Sequence, residues 1–107
     1  MNETEFIRIA DSILQQIAAA IDDADIDLES NFKGDGILEI ESDHGAKLIV
    51  NRNTPIREIW LAAPTGGFHF RADGARWLDT RDGEELGARL SALLKSMIGS
   101  EISIQIR

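Results

Sequence analysis

Hydrophobic residues within the first 21 positions recur every three or four residues, which is the spacing of one face of an α-helix. The members of this stripe are Phe6, Ile9, Ala10, Ile13, Leu14, Ile17 and Ile21. At about 100° per residue, the opposite sector is polar and contains Thr4, Asp11, Gln15 and Asp22. Asn2 and Glu5 have the spacing of a capping box. The pattern predicts an amphipathic helix that begins near Asn2 and keeps its polar sector in solvent.

The hydrophobic period changes to two after this helix. Ile26, Leu28 and Phe32 fall on one side of the alternation, and Asp25, Asp27 and Glu29 fall on the other. This alternation predicts a strand with an acidic outer side.

A further series of β-rich runs is separated by glycine, proline and other turn-forming residues. The runs are Ile37–Glu41, Lys47–Asn51, Ile56–Ala63, Phe68–Ala72 and a short stretch around Trp77. The first two flank residues 42–45 as a hairpin. The series predicts an antiparallel meander.

A second helical stripe lies near the end of the chain and consists of Leu86, Leu90, Leu93, Leu94 and Met97. We expect Asp82 and Glu85 to open this helix, Glu85 and Arg89 to form an (i, i+4) ion pair, and Gly99 to end the helix. The alternating residues Ile102, Ile104 and Ile106 then predict a last short strand.

Two helices that bracket an antiparallel sheet predict an α+β fold. The predicted architecture is a two-layer sandwich in which both helical stripes bury against the same sheet face. A chain of 107 residues has the size of one domain, so we assign residues 1–107 to a single domain.

Charge is distributed unevenly within the net value of −8. Residues 1–29 contain eight acids and one base, a balance of −7, so the remainder of the chain carries −1. This imbalance disfavours nucleic acid as a partner and favours cations or a basic protein surface.

The absence of cysteine excludes thiol catalysis and thiolate metal sites, and fits a reducing compartment. The acidic start of the chain resembles neither a secretory signal nor an arginine-rich transit peptide, and no apolar run has the length of a membrane span. We therefore expect a cytoplasmic protein without a membrane partner.

The strongest chemical feature is a group of five acids within eight residues, namely Asp22, Asp23, Asp25, Asp27 and Glu29. Carboxylate oxygens are hard ligands suited to iron, manganese, calcium or magnesium. Alternate residues of a strand lie roughly 6.6 Å apart, which is too far for one ion to bind three of them tightly. The pattern predicts a loose row of weak, exchangeable sites, which Asp11 could extend.

A calcium loop is excluded, although Asp23, Asp25 and Asp27 imitate the first half of an EF-hand. Its obligatory glycine position is Leu28, and its bidentate glutamate position is Gly34. The remaining alternative is a solvated acidic face that serves solubility. Mutual repulsion of five carboxylates costs stability, which favours a cation or a basic partner.

Trp60 is predicted to lie on the outer sheet face, because Ile59 and Leu61 suit the core and Trp60 alternates with them. An exposed indole is a natural interface anchor. Asn51, Arg52 and Asn53 lie in the neighbouring strand and turn, so we expect a polar and aromatic patch there.

The two histidines, His44 and His69, lack a metal-ligand partner at suitable spacing and are predicted to be isolated surface residues. No serine has the context of a nucleophile elbow, and no base has an evident orienting partner. The sequence therefore gives no indication of an enzyme.

The stretch from Val50 to Ala62, VNRNTPIREIWLA, closely resembles the central strands of the frataxin family, whose signature is N-[KR]-Q-x-P-x-x-x-[IV]-W-[LI]. The resemblance to the bacterial branch continues through residues 66–70, Trp77 and residues 79–83. In the N-terminal half it includes residues 5–6, 10–11, 22–23 and 25–27. It covers essentially the whole chain.

This resemblance implies a frataxin fold, weak binding of Fe2+ or Fe3+, and an adaptor or regulator role in iron–sulfur cluster assembly. It further implies docking on the cysteine desulfurase and on the scaffold protein. The implied iron ligands are Asp11, Asp22, Asp23, Asp25, Asp27 and Glu29, with Glu3 and Glu5 at the end of the row. The implied partner-binding residues are Asp22, Asp23, Asp25, Asn51, Arg52 and Trp60.

Two departures from the family pattern predict fewer iron sites or weaker desulfurase docking: residues 18–20 are alanines in a turn that often carries acids, and the connection from Asp23 to the next strand is short. A third departure concerns the scaffold, because Asn53 replaces the usual glutamine and is one methylene shorter. The alternatives to an iron adaptor are an acidic interaction module with incidental metal binding, and a weak ferroxidase or iron-storage protein. We expect a monomer that could oligomerise with metal.

Overall fold

The computed structural model describes residues 1–24 and 26–107, which form two helices packed on one face of a six-stranded antiparallel sheet. The strands lie side by side in chain order. The helices and strands are α1 (Glu3–Asp23), β1 (Leu28–Phe32), β2 (Ile37–Ser42), β3 (Lys47–Asn53), β4 (Glu58–Ala63), β5 (Gly66–Asp73), β6 (Arg76–Asp79) and α2 (Leu86–Ile98). This architecture confirms the predicted α+β sandwich. Within the described residues, neither helix has an apolar stretch long enough to cross a membrane.

Helix α1 has the predicted start and the predicted apolar face. The side chain of Asn2 accepts a hydrogen bond from the backbone N–H of Glu5 at 2.8 Å, which satisfies a free donor of the first turn. The buried residues of the helix are Phe6, Ala10, Ile13, Leu14, Ile17 and Ile21. The ring of Phe6 packs at a tilt against Trp77 of β6, with 5.9 Å between ring centroids. Through this contact, α1 joins a core that extends to the last strand.

Strand β1 is shorter than the acidic alternation predicts. It begins at Leu28, and the N–H of Leu28 donates to the carbonyl of Ile26 at 2.8 Å, which makes Asp27 the centre of a γ-turn. Phe32, which we expected on the buried side, is 45% exposed. The prediction of an acidic strand that includes Asp27 is therefore wrong, because the chain bends before the sheet begins.

Strand β4 also begins later than predicted. Pro55 lies in a single turn of 3-10 helix, Thr54–Ile56, and Arg57 follows in the left-handed conformation with φ 57°. From Glu58 onward the strand pairs with β3 on one side and β5 on the other. The predicted inward and outward faces of β4 are confirmed, since Ile59 and Leu61 are buried.

Helix α2 begins at Leu86, not at Asp82. Glu85 is its N-cap, and the carboxylate of Glu85 accepts a hydrogen bond from Ala88 N at 3.1 Å. Asp82 lies in the preceding turn, where its side chain accepts from Glu84 N at 3.0 Å. The predicted end is confirmed, since Gly99 caps the helix with φ 72°.

The predicted ion pair between Glu85 and Arg89 is not formed. Because Glu85 serves as the cap of α2, its carboxylate turns back to the helix N-terminus. Arg89 instead pairs with acids of the segment that precedes α2.

The predicted strand at Ile102, Ile104 and Ile106 is also not formed, and within the described residues this segment has no partner strand. The alternation of isoleucine with polar residues nevertheless determines which side chains of this segment face the core. Ile104 is 4% exposed, whereas Ser103 and Gln105 are exposed.

Side chains of both helices hold this terminal segment in place of a neighbouring strand. The N–H of Ile104 donates to Ser91 Oγ at 2.8 Å, and the N–H of Arg107 donates to Gln16 Oε1 at 2.8 Å. Gly87 permits the close approach, because a Cβ at this position would lie 2.7 Å from the carbonyl oxygen of Ile104. The segment therefore covers the outer surface of the helical layer.

Candidate acidic ridge and outer sheet face

The acidic ridge is the set of carboxylates that α1 and the start of the sheet carry. Its members are Glu3, Glu5, Asp11, Asp22, Asp23, Asp25, Asp27 and Glu29, of which Asp25 lies outside the described residues. All the described members except Asp11 are exposed. At 1.5 Å of rise per residue, the glutamates in the first turn of α1 lie roughly 25–30 Å from the aspartates in its last turn. The ridge is therefore an extended surface with two ends.

The two ends of the ridge differ in their electrostatic environment. Glu3 and Glu5 lie in the first turn of α1, where the helix dipole favours negative charge. Asp22 and Asp23 lie in the last turn, where the dipole disfavours it, and this turn contains no basic residue. A cation or a basic side chain bound at the C-terminal end of α1 would relieve this repulsion.

Asp11, in the middle of the ridge, is already paired. Its Oδ1 accepts a hydrogen bond from Arg52 Nε at 3.0 Å, and the side chain of Arg52 is 17% exposed. The guanidinium lies directly over Gly36, where a Cβ would meet Arg52 Nη1 at 2.5 Å. A shallow groove of about 260 Å³ beside this pair is lined by Asp11, Gln15, Phe32, Gly34, Asp35 and Gly36.

The prediction that Arg52 belongs to the outer sheet face is wrong. Arg52 has the same strand parity as Leu48 and Val50, which are buried under the helices. Its side chain therefore projects toward α1, whereas Asn51 projects to the opposite face. We assigned Asn51 and Arg52 to the same sheet face because they are neighbours in the sequence, but adjacent residues of a strand project to opposite faces.

The carboxylates of the ridge do not converge on one point. Among residues 1–24 and 26–107, no three His, Asp or Glu side chains are close enough to hold one metal ion together. An ion on the described part of the ridge would have at most two carboxylate side chains as ligands, with water or other oxygens completing its coordination. Such a site exchanges its ion readily.

The outer sheet patch is formed by Asn51, Glu58, Trp60, His69 and Arg71. Trp60 pairs across the sheet with Asn51 of β3 and with His69 of β5, while Glu58 pairs with Arg71. The indole of Trp60 is half-buried, and its face stacks on the imidazole of His69 with 4.4 Å between centroids and 7° between planes. The predicted outward position of Trp60 is confirmed. His69 is exposed as expected but is not isolated.

Glu58 is the buried charge of this patch, with a side chain only 5% exposed. It accepts a hydrogen bond from Trp60 Nε1 at 2.9 Å and one from Arg71 Nη2 at 2.6 Å, and His69 Nδ1 lies 3.7 Å away. Burial alone would raise the pKa of Glu58, but these hydrogen bonds and the charge of Arg71 outweigh it and lower the pKa from its ordinary value of 4.5. Glu58 is therefore ionised in the folded protein at neutral pH.

The lowered pKa of Glu58 predicts an acid-dependent loss of stability. A carboxyl group whose pKa falls on folding stabilises the protein above its unfolded pKa, and this contribution disappears as the pH falls through the folded value. We expect the free energy of unfolding to decrease below about pH 4.5, with a contribution from Glu58 of at most ~1.4 kcal/mol per pH unit.

The measurement is urea unfolding between pH 3 and pH 7. Glu58→Gln should show a shallower decrease than the parent, while Glu29→Gln, at an exposed site, controls for loss of one charge. Equal slopes for parent and Glu58→Gln would contradict this prediction.

A second charged cluster, centred on Arg89 of α2, was not found by sequence reasoning. The guanidinium lies 2.5 Å from Asp82, 3.3 Å from Glu84 and 3.7 Å from Asp79. It also lies over the ring of Phe68 at 4.7 Å from the centroid.

The hydrogen bonds of this cluster shift two pKa values. The backbone N–H of Glu84 and then the side chain of Arg89 lower the pKa of Asp82, and the hydrogen bond to Asp82 raises the pKa of Arg89. Both groups therefore remain charged at neutral pH. The available sequence signal was the run of charged residues from Asp79 to Glu84 ahead of the helix.

Comparisons with known proteins agree with this fold. Residues 1–100 match the family model described as a frataxin-like domain. The chain is 43% identical over 109 residues to the iron-sulfur cluster assembly protein CyaY of Cupriavidus metallidurans, an alignment that covers 98% of this chain and 97% of that protein. It is 45% identical over 105 residues to the protein of the same name from Dechloromonas aromatica, covering 98% and 100% of the two chains.

Solved structures show the same relationship. Frataxin from Psychromonas ingrahamii superposes with a TM-score of 0.91 at 30% identity, covering 98% of this chain and 99% of that chain. A trimeric frataxin from the yeast Saccharomyces cerevisiae, complexed with ferrous iron, shares the fold with a TM-score of 0.72 at 22% identity, covering 85% and 86% of the two chains. The expected family is thus confirmed, and the chain belongs to the frataxin family, in its bacterial CyaY branch.

Proposed function

We propose that this protein is a non-enzymatic adaptor of iron–sulfur cluster assembly. In this proposal it holds Fe2+ or Fe3+ weakly on the acidic ridge and docks on the cysteine desulfurase through the same carboxylates. Its relatives from Cupriavidus and Dechloromonas are named iron-sulfur cluster assembly proteins, which supports the general role. The ridge supports the particular mechanism.

The observation that carries the proposal is the unneutralised charge of the ridge. Within the part of the chain that the structure describes, Asp11 is the one ridge residue that forms a salt bridge. The others are exposed and lie on a surface with a single basic residue, Arg8, in the first 29 positions. Such a surface attracts cations and steers a basic protein surface toward it.

Iron is one of the cations that this ligand chemistry fits, and the iron–sulfur role in the names of the relatives favours it. Carboxylates are hard ligands, and hydrated ions held by one or two of them exchange readily. The C-terminal end of α1 is the preferred location, because an ion there offsets both the repulsion between Asp22 and Asp23 and the unfavourable helix dipole. An ion at Asp11 would lie beside the positive charge of the Arg52 guanidinium, so we expect this position to be weaker.

The two faces of the protein are assigned to two partners. The ridge, including Asp22, Asp23 and Asp25, docks on basic residues of the desulfurase, and the outer sheet patch with Asn51 and Trp60 contacts the scaffold protein. Arg52 projects toward α1, so any role of Arg52 in partner binding belongs to the ridge. We further propose a cytoplasmic monomer that could oligomerise with metal.

The decisive experiment is a calorimetric titration of this protein with its cognate cysteine desulfurase. The test variant carries Asp22→Asn, Asp23→Asn, Asp25→Asn and Asp27→Asn. We expect at least about a tenfold loss of affinity, together with a weaker salt dependence. The control removes charge from two exposed acids away from the ridge, through Asp73→Asn and Glu101→Gln, and the losses are compared per charge removed. Equal losses per charge in both variants would indicate a nonspecific charge effect, and parent-like binding by the test variant would contradict docking through the ridge.

A docking module with incidental metal binding is the second candidate function. It is favoured by the lack of a three-ligand group among the described residues. The same titration distinguishes the two functions when it is repeated with ferrous iron. Iron should change the desulfurase affinity of the parent if cargo and partner share the ridge. An unchanged affinity at saturating iron would favour the docking module.

A further inference from the structure

The indole of Trp60 is held on two sides by side chains of its own sheet. Its Nε1–H donates to Glu58 at 2.9 Å, and its face stacks on His69. The ring is therefore fixed both in its position and in the direction of its one polar group. A tryptophan with a single hydrogen bond on an exposed strand would retain more rotamer freedom.

Glu58 can hold the indole because it is itself immobile. Its side chain is 5% exposed, and its second oxygen accepts from Arg71 at 2.6 Å. Arg71 is 65% exposed, so its charge reaches Glu58 from the solvent side of the patch. A buried carboxylate with both oxygens bound is more rigid than a surface carboxylate.

The position of Glu58 on β4 places its carboxylate beside the indole of Trp60. Residue 58 precedes Trp60 by two positions, so both project from the same face of β4. Asn51, on the other side of Trp60, is its cross-strand partner on β3. The sheet therefore presents Trp60 between a polar amide and a stacked imidazole, with the carboxylate at its N–H.

We infer that Glu58 is a positioning residue that fixes the indole of Trp60 for partner binding and occupies its N–H. This inference rests on the proposed function, in which the outer sheet patch contacts the scaffold protein. It specifies the kind of contact. A partner meets the part of the Trp60 ring that His69 leaves exposed with apolar or cationic side chains, and does not place an acceptor at Nε1. Fixing the ring beforehand reduces the entropy lost on binding.

The first test uses the isolated protein and observes the indole N–H of Trp60 by NMR, with Trp60→Phe to assign its signal apart from that of Trp77. In the parent we expect slow hydrogen exchange at this N–H. Glu58→Gln should retain protection, because the amide oxygen can still accept, whereas Glu58→Leu should accelerate exchange at least about tenfold. Equal exchange in the parent and in Glu58→Leu would overturn the inference.

The second test is a double-mutant cycle for binding of the cognate scaffold protein. Glu58→Leu should weaken binding about tenfold in the parent and have no further effect in Trp60→Phe, because a positioning residue acts only through the residue it positions. Glu58→Gln should restore most of the affinity. Additive losses would overturn the positioning role and make Glu58 a direct contact.

The two tests separate this inference from the proposed function. If Trp60→Phe binds the scaffold as the parent does, docking through the outer sheet patch fails, and the inferred role in partner binding fails with it. Protection of the indole N–H by Glu58 would then remain as a property of the isolated fold alone. If Trp60→Phe loses binding but Glu58→Leu does not, docking stands and the positioning role is refuted.

Discussion

Replacing Arg89 by Met should lower the free energy of unfolding by about 2–3 kcal/mol, because hydrogen bonds to charged groups contribute about 1.5–3 kcal/mol and the guanidinium is mostly buried. Arg89 lies against three carboxylates, of which Asp79 is 1% exposed. Without the guanidinium, the buried carboxyl group of Asp79 loses its nearby cation, and Asp82 and Glu84 lose theirs at the same time. Small domains are stable by only about 5–15 kcal/mol, so this loss is a large fraction of the total. Urea unfolding at pH 7 measures it.

Two further variants separate the ion pair from other effects of the Arg89 change. Arg76→Met removes an exposed arginine and should stay within about 0.5 kcal/mol of the parent. The double variant Asp79→Asn with Arg89→Met should be more stable than Arg89→Met alone, since the amide of Asn can still accept from Arg81 N as Asp79 does at 2.7 Å. A double variant no more stable than the single one would show that packing, including the contact with Phe68, accounts for the loss.

Replacing Phe6 by Ala should lower the free energy of unfolding by about 3–5 kcal/mol. Phe6 is fully buried and packs against Trp77, so its removal leaves a cavity between α1 and β6. Helix α1 opens the chain and β6 is the last strand of the sheet, so the cavity would lie inside the shared core. The expected result is a lower midpoint in urea with an unchanged slope.

The chain offers a matched control for this change. Phe32→Ala is the same substitution on a side chain that is 45% exposed, and it should cost no more than about 1 kcal/mol. Similar losses at both positions would mean that Phe32 is buried in solution and that β1 packs as the sequence pattern predicted.

The ridge and the outer sheet patch differ in how they retain charge. The ridge keeps repelling carboxylates in solvent at the unfavourable end of α1, which costs stability that only a bound cation or partner recovers. The patch keeps one carboxylate, Glu58, inside a set of donors that satisfy it without a partner. The first arrangement suits reversible binding, and the second suits a rigid contact surface.

The amino-acid sequence by itself determined the layers, the strand order and the family. Periodicity is a local property, so the apolar stripe of α1 and the inward positions of Ile59 and Leu61 could be read directly. The alternation of the terminal segment also predicted that Ile104 is buried while Ser103 and Gln105 are exposed. The cluster of acids at residues 22–29 could be predicted from its spacing, and the family resemblance added Glu3 and Glu5 to the ridge.

Only the tertiary structure decided which distant residues meet. Arg52 reaches Asp11 across 41 residues of sequence, and Arg89 turns from Glu85 to the acids before α2. The end of the chain follows side chains of both helices, where alternation alone had predicted a strand. In each case the local sequence pattern predicted one hydrogen-bond or ion-pair partner, and tertiary packing brought a different residue into contact. Hydrogen bonds and ion pairs depend on distances of a few ångströms, which periodicity does not specify.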